Sequence, residues 1–308
     1  MSADRLHYFY VLLAYFAIYV VWGTTYLANI YALDGFKPFL LSGFRYLIAG
    51  ALLLVWCLVR KIKLPSPSDI KTLSISGILM LIGGSGLVVY AEQYINSGYA
   101  AVLVATEPLL FLILDRSRWK QYSSNRNVIV GLIVGFVGIA FFIFYSPHDS
   151  FQVIAPNRLK GTVIALLSAV LWVIGTLYGK KNLSTGSFTV FSTTIQLFAA
   201  ALFAFLIASL TGEWKGFSLE EISFPAWAGL IYLIVFGSLT AYLAFNWLIT
   251  VQSPALVSTH TYVNPVVAIL MGWMLNNEAI VGMQLVAVAI VLLGILMSQL
   301  NNKVQANV

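Results

Sequence analysis

The middle of the chain reads Ser146-Pro-His-Asp-Ser-Phe-Gln-Val-Ile-Ala-Pro-Asn-Arg-Leu-Lys160, and this stretch is its longest central polar joint. On each side lie five apolar segments of about 20 residues, the length that a helix needs to cross a bilayer core of about 30 Å. The ten segments are residues 9–28, 38–59, 71–91, 98–114, 127–145, 161–179, 189–210, 225–247, 254–275 and 281–298. Because five is odd, the second set would cross the membrane in the opposite sense to the first. The sequence predicts an all-α membrane protein of ten transmembrane helices, with five-helix domains at 9–145 and 161–299.

The composition agrees with a membrane protein. Of 308 residues, 60% are hydrophobic and 9% are charged, with a mean hydropathy of +0.90, whereas about 25% of a soluble domain is charged. The single cysteine, Cys57, cannot form an intramolecular disulfide, and three scattered histidines predict no metal site. The net charge of +6 does not indicate nucleic acid, because the basic residues lie between apolar segments. No ATP motif or nucleophile elbow occurs, so we expect no cofactor and no enzyme activity.

The basic residues also predict the orientation. Cytoplasmic joints of membrane proteins carry an excess of Lys and Arg. The two termini and the joints after segments 2, 4, 6 and 8 hold twelve of the seventeen basic residues. The other joints hold Lys37, Arg158, Lys160 and Lys215, and Arg45 lies within segment 2. Both termini are therefore expected in the cytoplasm.

Three correspondences between the two halves indicate a duplication. They are Trp22-Gly-Thr-Thr-Tyr26 with Trp172-Val-Ile-Gly-Thr-Leu-Tyr178, Glu107-Pro108 with Asn264-Pro265, and Gly138 with Gly294. Inverted repeats recur in secondary transporters, because two nearly equivalent halves can exchange inward-open and outward-open shapes.

An ordered set of motifs spans nearly the whole chain: Val21-Trp-Gly-Thr-Thr-Tyr-Leu-Ala28, Pro38-Phe-Leu-Leu-Ser-Gly-Phe-Arg-Tyr-Leu-Ile-Ala49, Glu107-Pro108, Thr261-Tyr-Val-Asn-Pro-Val-Val-Ala268, Gly272-Trp273 and Glu278. Through these motifs and their order, the chain resembles the drug/metabolite transporter superfamily, in particular its ten-helix members built from two inverted EamA-like repeats. The resemblance implies a central cavity lined by helices 1, 3, 4, 6, 8 and 9, with helices 5 and 10 behind them. It also implies a bacterial inner-membrane protein, since most members export small metabolites, amino acids or drugs there.

Glu107 lies inside the apolar run Val102-Leu-Val-Ala-Thr-Glu-Pro-Leu-Leu-Phe111. It is about nine residues from the outer end of helix 4, hence roughly 13 Å deep and close to the bilayer midplane. A charge there costs about 2.5 kcal/mol or more, so the side chain should face protein or water, and removal from water makes a carboxylate easier to protonate. We predict that Glu107 is the proton-coupling or substrate-cation site. The alternative is a structural hydrogen bond or salt bridge within the bundle.

Arg45 lies roughly 10 Å from the outer end of helix 2 and could share the depth of Glu107. We favour a structural or gating role, because a buried ion pair fixes helix positions; capture of a substrate carboxylate is the alternative.

Pro108 and Pro265 each remove a backbone hydrogen bond, so kinked helices at matching places would form a site between the repeats. Ordinary membrane-helix prolines are the alternative interpretation.

Aromatic side chains offer stacking surfaces with a polar handle and suit amino acids, aromatic metabolites or amphipathic cations. The candidates for a cavity wall are Trp22, Tyr26, Trp172, Tyr178, Trp247 and Tyr262, with Trp22 and Trp172 first because they are repeat-related. Asn264 is assigned to the same site as the counterpart of Glu107. His260 is a candidate proton relay, with simple packing as the alternative.

Two glycine clusters predict close helix packing. Gly83-Gly84-Ser85-Gly86 would allow close approach or bending of helix 3. Gly131, Gly135 and Gly138 would form a packing face on helix 5, either within the bundle or in a homodimer, so we expect a monomer or a homodimer.

The predicted function is a secondary transporter that exports small metabolites or amino acids, coupled to protons or acting as a facilitator. Its expected partners are a small-molecule substrate, the lipid bilayer and protons, with no nucleic acid. The alternatives are an intramembrane enzyme, which one carboxylate and one histidine support only thinly, and a channel or a sensory or structural membrane protein.

Overall fold

The computed structural model describes residues 3–116, 119, 126–145, 155–184, 189–252, 254–277 and 282–299. Glu278 and residues 146–154 of the central joint lie outside the described residues. The described part of the chain is helical throughout and contains no strand. Its helices are α1 (Ala3–Phe16, Ala17–Val21 and Trp22–Leu33), α2 (Pro38–Val59), α3 (Pro67–Ala91), α4 (Ser97–Val104 and Glu107–Leu114), α5 (Arg126–Tyr145), α6 (Ala155–Asn182), α7 (Val190–Leu210), α8 (Phe224–Val251), α9 (Pro254–Val257 and His260–Asn276) and α10 (Gly282–Gln299).

Within the described residues, seven helices are long and apolar enough to cross a membrane, namely α1 to α4 and α6 to α8. Shorter apolar stretches occur in α5, at Ile129–Phe142, and in α10, at Gly282–Gly294. The long segment of α9, His260–Asn276, has 17 residues. The predictions of an all-α fold and of transmembrane helices are confirmed.

Polar residues at the joints set where the helices begin. The side chains of Ser66, Asn96 and Ser223 each accept a hydrogen bond from a backbone N–H in the first turn of α3, α4 and α8. Proline follows at the start of α2, α3 and α8, where its missing N–H costs nothing because that position has no partner in the helix. These caps end the apolar segments at the two faces of the bundle.

Joints that are separated by an even number of helices meet at the same face. The backbone N–H and hydroxyl of Ser184 both donate to Asp69 at 3.0 Å, which brings the start of α3 to the end of α6. The ring of His7 lies 5.9 Å from that of Trp247, between the start of α1 and the end of α8. We call this end of the bundle the N-terminal face. At the opposite face, Lys37 donates to the carbonyl of Lys215 at 3.1 Å.

The helices pack in pairs, and each pair joins the first half of the chain to the second. Extensive contacts join α1 with α8, α3 with α6, α2 with α7, α4 with α9 and α5 with α10. Two buried apolar clusters result, one centred on α1, α2, α3, α7 and α8 and the other on α4, α5, α9 and α10. The two halves are therefore interleaved and form one bundle.

The glycine face of α5 is used inside the chain. A Cβ on Gly138 would lie 2.7 Å from the backbone nitrogen of Val291, and one on Gly294 would lie 2.7 Å from the carbonyl oxygen of Gly131. Gly135 is buried in the same crossing. These glycines let α5 and α10 approach closely, so this face is not available for the homodimer that the sequence left open.

In the part of the chain that the structure describes, three helices contain π-helical stretches: Ala17–Val21 in α1, Ile78–Gly86 in α3 and Leu233–Tyr242 in α8. A π-helix leaves backbone carbonyls to be satisfied by side chains, and such stretches occur frequently at functional sites. In α3 the stretch contains the predicted glycine cluster, and Gly84 lies against Trp172, where an added Cβ would be 2.7 Å from the ring. Close approach of α3 and α6 is therefore confirmed.

A carboxylate from another joint caps α2. Glu213 Oε2 accepts the backbone N–H groups of Phe39 and Leu40, each at 2.9 Å. Burial raises the pKa of the Glu213 carboxyl above its ordinary value, against the smaller opposing effect of these donors. The joint between α7 and α8 thus holds the start of α2 in place.

We expect Glu213→Ala to lower the free energy of unfolding by about 1–2 kcal/mol, because two helix N–H groups lose their acceptor. Glu213→Gln should stay within about 0.5 kcal/mol of the wild type, because the amide oxygen can accept the same bonds without a buried charge. Thermal unfolding in detergent measures both variants. Equal losses in the two would show that the cap does not stabilise the protein.

Candidate substrate cavity

A cavity of about 70 Å³ lies in the middle of the bundle. It is lined by residues of α1, α3, α4, α6, α8 and α9, the six helices that the resemblance implied, and also by Arg45 of α2. The described residues of α5 and α10 contribute nothing to its lining. One water molecule needs about 10–15 Å³ of cavity volume, so this cavity is large enough for several water molecules.

Glu107 faces this cavity from a turn in α4. The first part of the helix ends at Val104, Ala105 and Thr106 form a turn, and Glu107 begins the second part with Pro108 next to it. Ala105 and Thr106 keep right-handed helical backbone angles, so α4 is locally irregular beside Pro108 and continues as one span, which agrees with the predicted kink. The Glu107 side chain is 4% exposed, and its buried Oε2 has no hydrogen-bond partner among the described residues.

Arg45 also lines the cavity, but it does not pair with Glu107. Its Nε donates to Ser238 Oγ at 2.9 Å, and its guanidinium lies 5.2 Å from the centre of the Tyr46 ring. The acid that interacts electrostatically with it is Glu92. Arg45 thus joins α2 to the π-helical stretch of α8, and the pairing suggested by equal depth is wrong.

The sequence reasoning missed Glu92. This side chain is 5% exposed and accepts a hydrogen bond from Asn29 Nδ2 at 2.8 Å, while Asn29 itself lines the cavity. Glu92 directly follows the last helical residue of α3, a position typical of an ordinary interfacial acid. Its one visible signal is an acidic residue directly after the uncharged run of residues 72–91. The cavity region therefore contains two carboxyl groups and one guanidinium.

Aromatic rings form the wall of the cavity towards the N-terminal face. The ring centre of Trp22 lies 5.5 Å from that of Trp172, 5.3 Å from Phe245 and 4.9 Å from His260. Trp22 Nε1 donates to the carbonyl of Gly237 at 3.1 Å, within the π-helical stretch of α8. Trp172 Nε1 is buried and has no acceptor among the described residues. Of this cluster the sequence reasoning missed Phe245, because a phenylalanine in an apolar helix carries no distinguishing signal.

Three predicted wall residues lie elsewhere. Tyr262 packs against α4 and α10, because two residues along a helix turn it roughly 200° away from His260. Tyr178 lies six residues beyond Trp172 on α6 and is not among the lining residues. Trp247 packs against His7 at the N-terminal face. Tyr26, one turn after Trp22, does line the cavity.

His260 and Asn264 lie one turn apart on α9 and both line the cavity. Nδ1 of His260 is 2.9 Å from the carbonyl oxygen of Val257, and the ring packs against Trp22. With its amide nitrogen turned towards the acceptors, Asn264 donates to the carbonyls of Ile18 and Tyr19 in the π-helical stretch of α1, at 3.0 and 2.8 Å. Asn264 therefore holds α1 and α9 together at the edge of the cavity.

Pro265 lies on the opposite side of α9 from His260 and Asn264, against the second apolar cluster. The helix continues through it without a break. The interruption in α9 occurs earlier, at Ser258 and Thr259. Pro265 is therefore neither a wall residue nor the place where α9 breaks, and the two prolines are not equivalent in the fold.

The fold and the cavity define a helical membrane protein with a polar, aromatic-walled chamber between interrupted helices, an arrangement typical of membrane carriers. A sequence profile of the EamA-like transporter family matches residues 8–144 and 159–300. The chain belongs to the EamA-like transporter family.

Named relatives agree with this assignment. The chain is 32% identical over 289 residues to the uncharacterized inner membrane transporter YedA of Escherichia coli (strain K12), which covers 92% of this chain and 89% of that protein. It is 26% identical over 296 residues to the uncharacterized transporter YvbV of Bacillus subtilis, covering 96% and 92%. It is also 26% identical over 289 residues to the protein PecM of Dickeya dadantii, covering 92% and 91%.

A chain in a solved crystal structure shares the fold. It superposes with a TM-score of 0.67 at 19% identity and covers 94% of this chain and 96% of that one. At this identity the likeness shows the fold alone.

Proposed function

We propose that the protein is a proton-coupled exporter of the bacterial inner membrane, which moves small metabolites or amino acids through the central cavity by alternating access. The observation that carries this proposal is Glu107, a buried carboxyl beside the turn in α4, whose Oε2 has no partner among the described residues and which faces a chamber walled by Trp22 and Trp172. A carboxyl held away from water binds a proton more readily than an exposed one. A cationic cargo and a proton can therefore compete for this group.

The chemistry of the cavity supports amino acids or amphipathic cations as cargo. Glu107 offers a negative charge, and the faces of Trp22 and Trp172 attract a cationic group or an aromatic ring. Arg45 holds a guanidinium at the same chamber, where a substrate carboxylate would meet it. Protonation of Glu107 would release a cationic group, and loss of the proton would restore the site.

We infer that the chain makes ten spans as two inverted repeats. If each helix corresponds to the one five places later, the pair α1 with α8 corresponds to the pair α6 with α3. The same exchange swaps the two members of the pairs α2 with α7, α4 with α9 and α5 with α10, so each of these pairs is mapped onto itself. A two-fold axis in the membrane plane requires this. All five pairs occur in the fold, and the π-helical stretches of α3 and α8 occupy matching positions.

The proposed orientation places both termini in the cytoplasm. Its support is the excess of Lys and Arg at the N-terminal face, including the joints around Arg60 and Lys180. Cargo would then load from the N-terminal face and leave at the opposite one.

Proteoliposomes containing the purified protein and the pH-sensitive dye pyranine test the proposal. Individual amino acids and amphipathic cations are added under a pH difference, and the expected result is saturable proton movement that depends on one class of compound. Empty liposomes are the control. Saturation distinguishes a carrier from a channel, and the absence of compound-dependent proton movement across the whole panel would contradict proton-coupled transport.

A further inference from the structure

A second cavity, of about 450 Å³, lies between α3, α6, α7 and α8. We call it the vestibule. On α6 its lining includes Thr176, one turn beyond Trp172 of the central cavity. On α8 its lining includes Asn246, one turn beyond Tyr242 of the central cavity. Both steps lead towards the N-terminal face, so the vestibule lies between that face and the central cavity.

The ring of Phe245 lies between the two cavities. Phe245 lines the vestibule, whereas Trp22 and Trp172 line the central cavity. The ring centres of these two tryptophans are 5.3 and 5.2 Å from that of Phe245. An apolar group in the vestibule would therefore meet the aromatic wall of the central cavity from its other side.

Hydrogen bonds fix the orientation of two amide side chains in the vestibule wall. Ser76 Oγ donates its single hydrogen to the carbonyl of Leu73 at 3.1 Å, so the amide group beside it must present its nitrogen. Gln196 Nε2 accordingly donates to Ser76 Oγ at 3.1 Å. Gln196 Oε1 then faces α8, where it accepts from Tyr242 Oη and from Asn246 Nδ2, both at 2.9 Å.

Asn246 is left with an unused acceptor. Its Nδ2 donates to Thr193 Oγ1 at 3.0 Å as well as to Gln196, so both of its N–H groups are used. Its Oδ1 accepts no bond from the described residues, although the side chain is only 3% exposed and lines the vestibule. A buried acceptor without a donor is costly, so a ligand that brings an N–H or O–H group gains by pairing with it.

The hydroxyl groups of the wall also offer acceptors. Thr176 and Thr250 each donate their hydroxyl hydrogen to a carbonyl of their own helix, at 2.9 and 2.6 Å, which leaves only their oxygen lone pairs for a ligand. Lys180 also lines the vestibule, but it has an interaction of its own, and its charge is not needed here. Apart from the second N–H of Gln196 Nε2, the uncharged side chains named here therefore present acceptors.

We propose that the vestibule is a binding site for the hydrogen-bond donor end, an N–H or O–H group, of a small amphipathic compound. Asn246 Oδ1 accepts the main hydrogen bond, Thr176 and Thr250 offer further acceptors, and the apolar part of the compound packs on Phe245. A role as the loading station for the central cavity rests on the proposed function, but the binding site itself does not.

A cysteine reporter tests the site without a known substrate. The native Cys57 is buried, so the background is Cys57→Ser. The reporter is Ile249→Cys on the vestibule wall, with Leu183→Cys as a second reporter if the first does not fold. The protein is placed in nanodiscs, and the rate at which the reporter reacts with uncharged methyl methanethiosulfonate is measured against the concentration of an added compound.

The added compounds are phenylacetamide and N,N-dimethylphenylacetamide, which share the ring and the carbonyl but differ in the N–H donors. Phenylacetamide should slow the reaction saturably. Its half-maximal concentration should be about fivefold lower than that of the dimethyl compound, the scale of one hydrogen bond. Equal protection by the two compounds, or no protection by either, would overturn the proposal.

Variants separate hydrogen bonding from the difference in size. Asn246→Leu keeps a side chain of similar volume without the acceptor and should remove the preference for phenylacetamide. If that variant does not fold, Thr250→Val should lower the preference by about twofold. The matched control is Thr240→Val, which removes a hydroxyl bonded to the same helix at 2.9 Å but outside both cavity linings.

An undiminished preference in Asn246→Leu, or equal preferences in the two threonine variants, would contradict the site. None of these measurements involves transport or proton movement. A failure here is therefore distinguishable from a failure of proton-coupled flux in proteoliposomes.

Discussion

Glu107→Gln is expected to lower substrate-dependent proton movement in proteoliposomes by about a hundredfold, the scale of loss when a proton-transferring side chain is removed. Exchange of a substrate without a cationic group should persist, because an uncharged amide still allows the cavity to open to each side in turn, whereas exchange of a cationic substrate should weaken with the loss of the carboxylate that binds it. The pH dependence of exchange should disappear with the carboxyl. The dye assay and a radiolabelled counterflow assay of the compound found in the screen measure the two quantities.

The same variant separates coupling from a structural role. Because Glu107 Oε2 has no hydrogen-bond partner among the described residues, replacing it loses no bond and removes the cost of burying a charge. Thermal stability should therefore stay equal or rise. Glu220→Gln makes the same chemical change at an exposed residue of the short helix Leu219–Glu221 and should alter neither flux nor stability. A marked loss of stability in Glu107→Gln, or unchanged pH-dependent flux, would contradict the coupling role.

Much of the fold could be predicted because apolar segments of membrane-spanning length are visible in a single sequence. The segments at 38–59 and 189–210 coincide with α2 and α7 almost residue for residue. The caps of α3, α4 and α8 are also visible in the sequence, because each capping residue directly precedes the helix that it caps. The π-helical stretches could not be predicted in this way, because their carbonyls are satisfied by distant side chains. Trp22 donates to Gly237, and Asn264 donates to Ile18 and Tyr19.

The sequence predicts how deep a residue lies in the membrane. It does not predict which side of the helix, and so which neighbouring helix, its side chain faces. Depth correctly placed Glu107 and Arg45 near one level, and both line the cavity. Depth does not give the direction of a side chain, and Arg45 turns to Ser238 on α8. Tyr262 and Tyr178 failed for the same reason, because only the neighbouring helices determine which side of α9 and α6 faces the chamber.

A polar network between α7 and α8, in which Gln196 accepts hydrogen bonds from Tyr242 and Asn246, shows a second limit of sequence reasoning. Gln196, Tyr242 and Asn246 are ordinary members of apolar segments when each is considered alone. They become a connected set only when α7 and α8 are brought side by side. Tyr242 and Asn246 lie one turn apart on the same helix face, and a search for polar residues at that spacing could have found this pair.

Gly294→Ala is expected to destabilise the protein by about 3 kcal/mol or more, since the added methyl group has no space. It would lie 2.7 Å from both the carbonyl oxygen of Gly131 and the Cα of Gly135. Both neighbours are backbone atoms, so a change of rotamer cannot relieve the overlap, and α5 and α10 must move apart along their whole contact.

Gly282→Ala on the same helix is the matched control, because no described atom lies within 4 Å of its added methyl group. Thermal unfolding in detergent should show a large fall in Tm for Gly294→Ala and no fall for Gly282→Ala. Equal Tm values would mean that α5 and α10 do not pack through these glycines, and the self-paired crossing that supports the two-fold relation between the halves would then lose its basis.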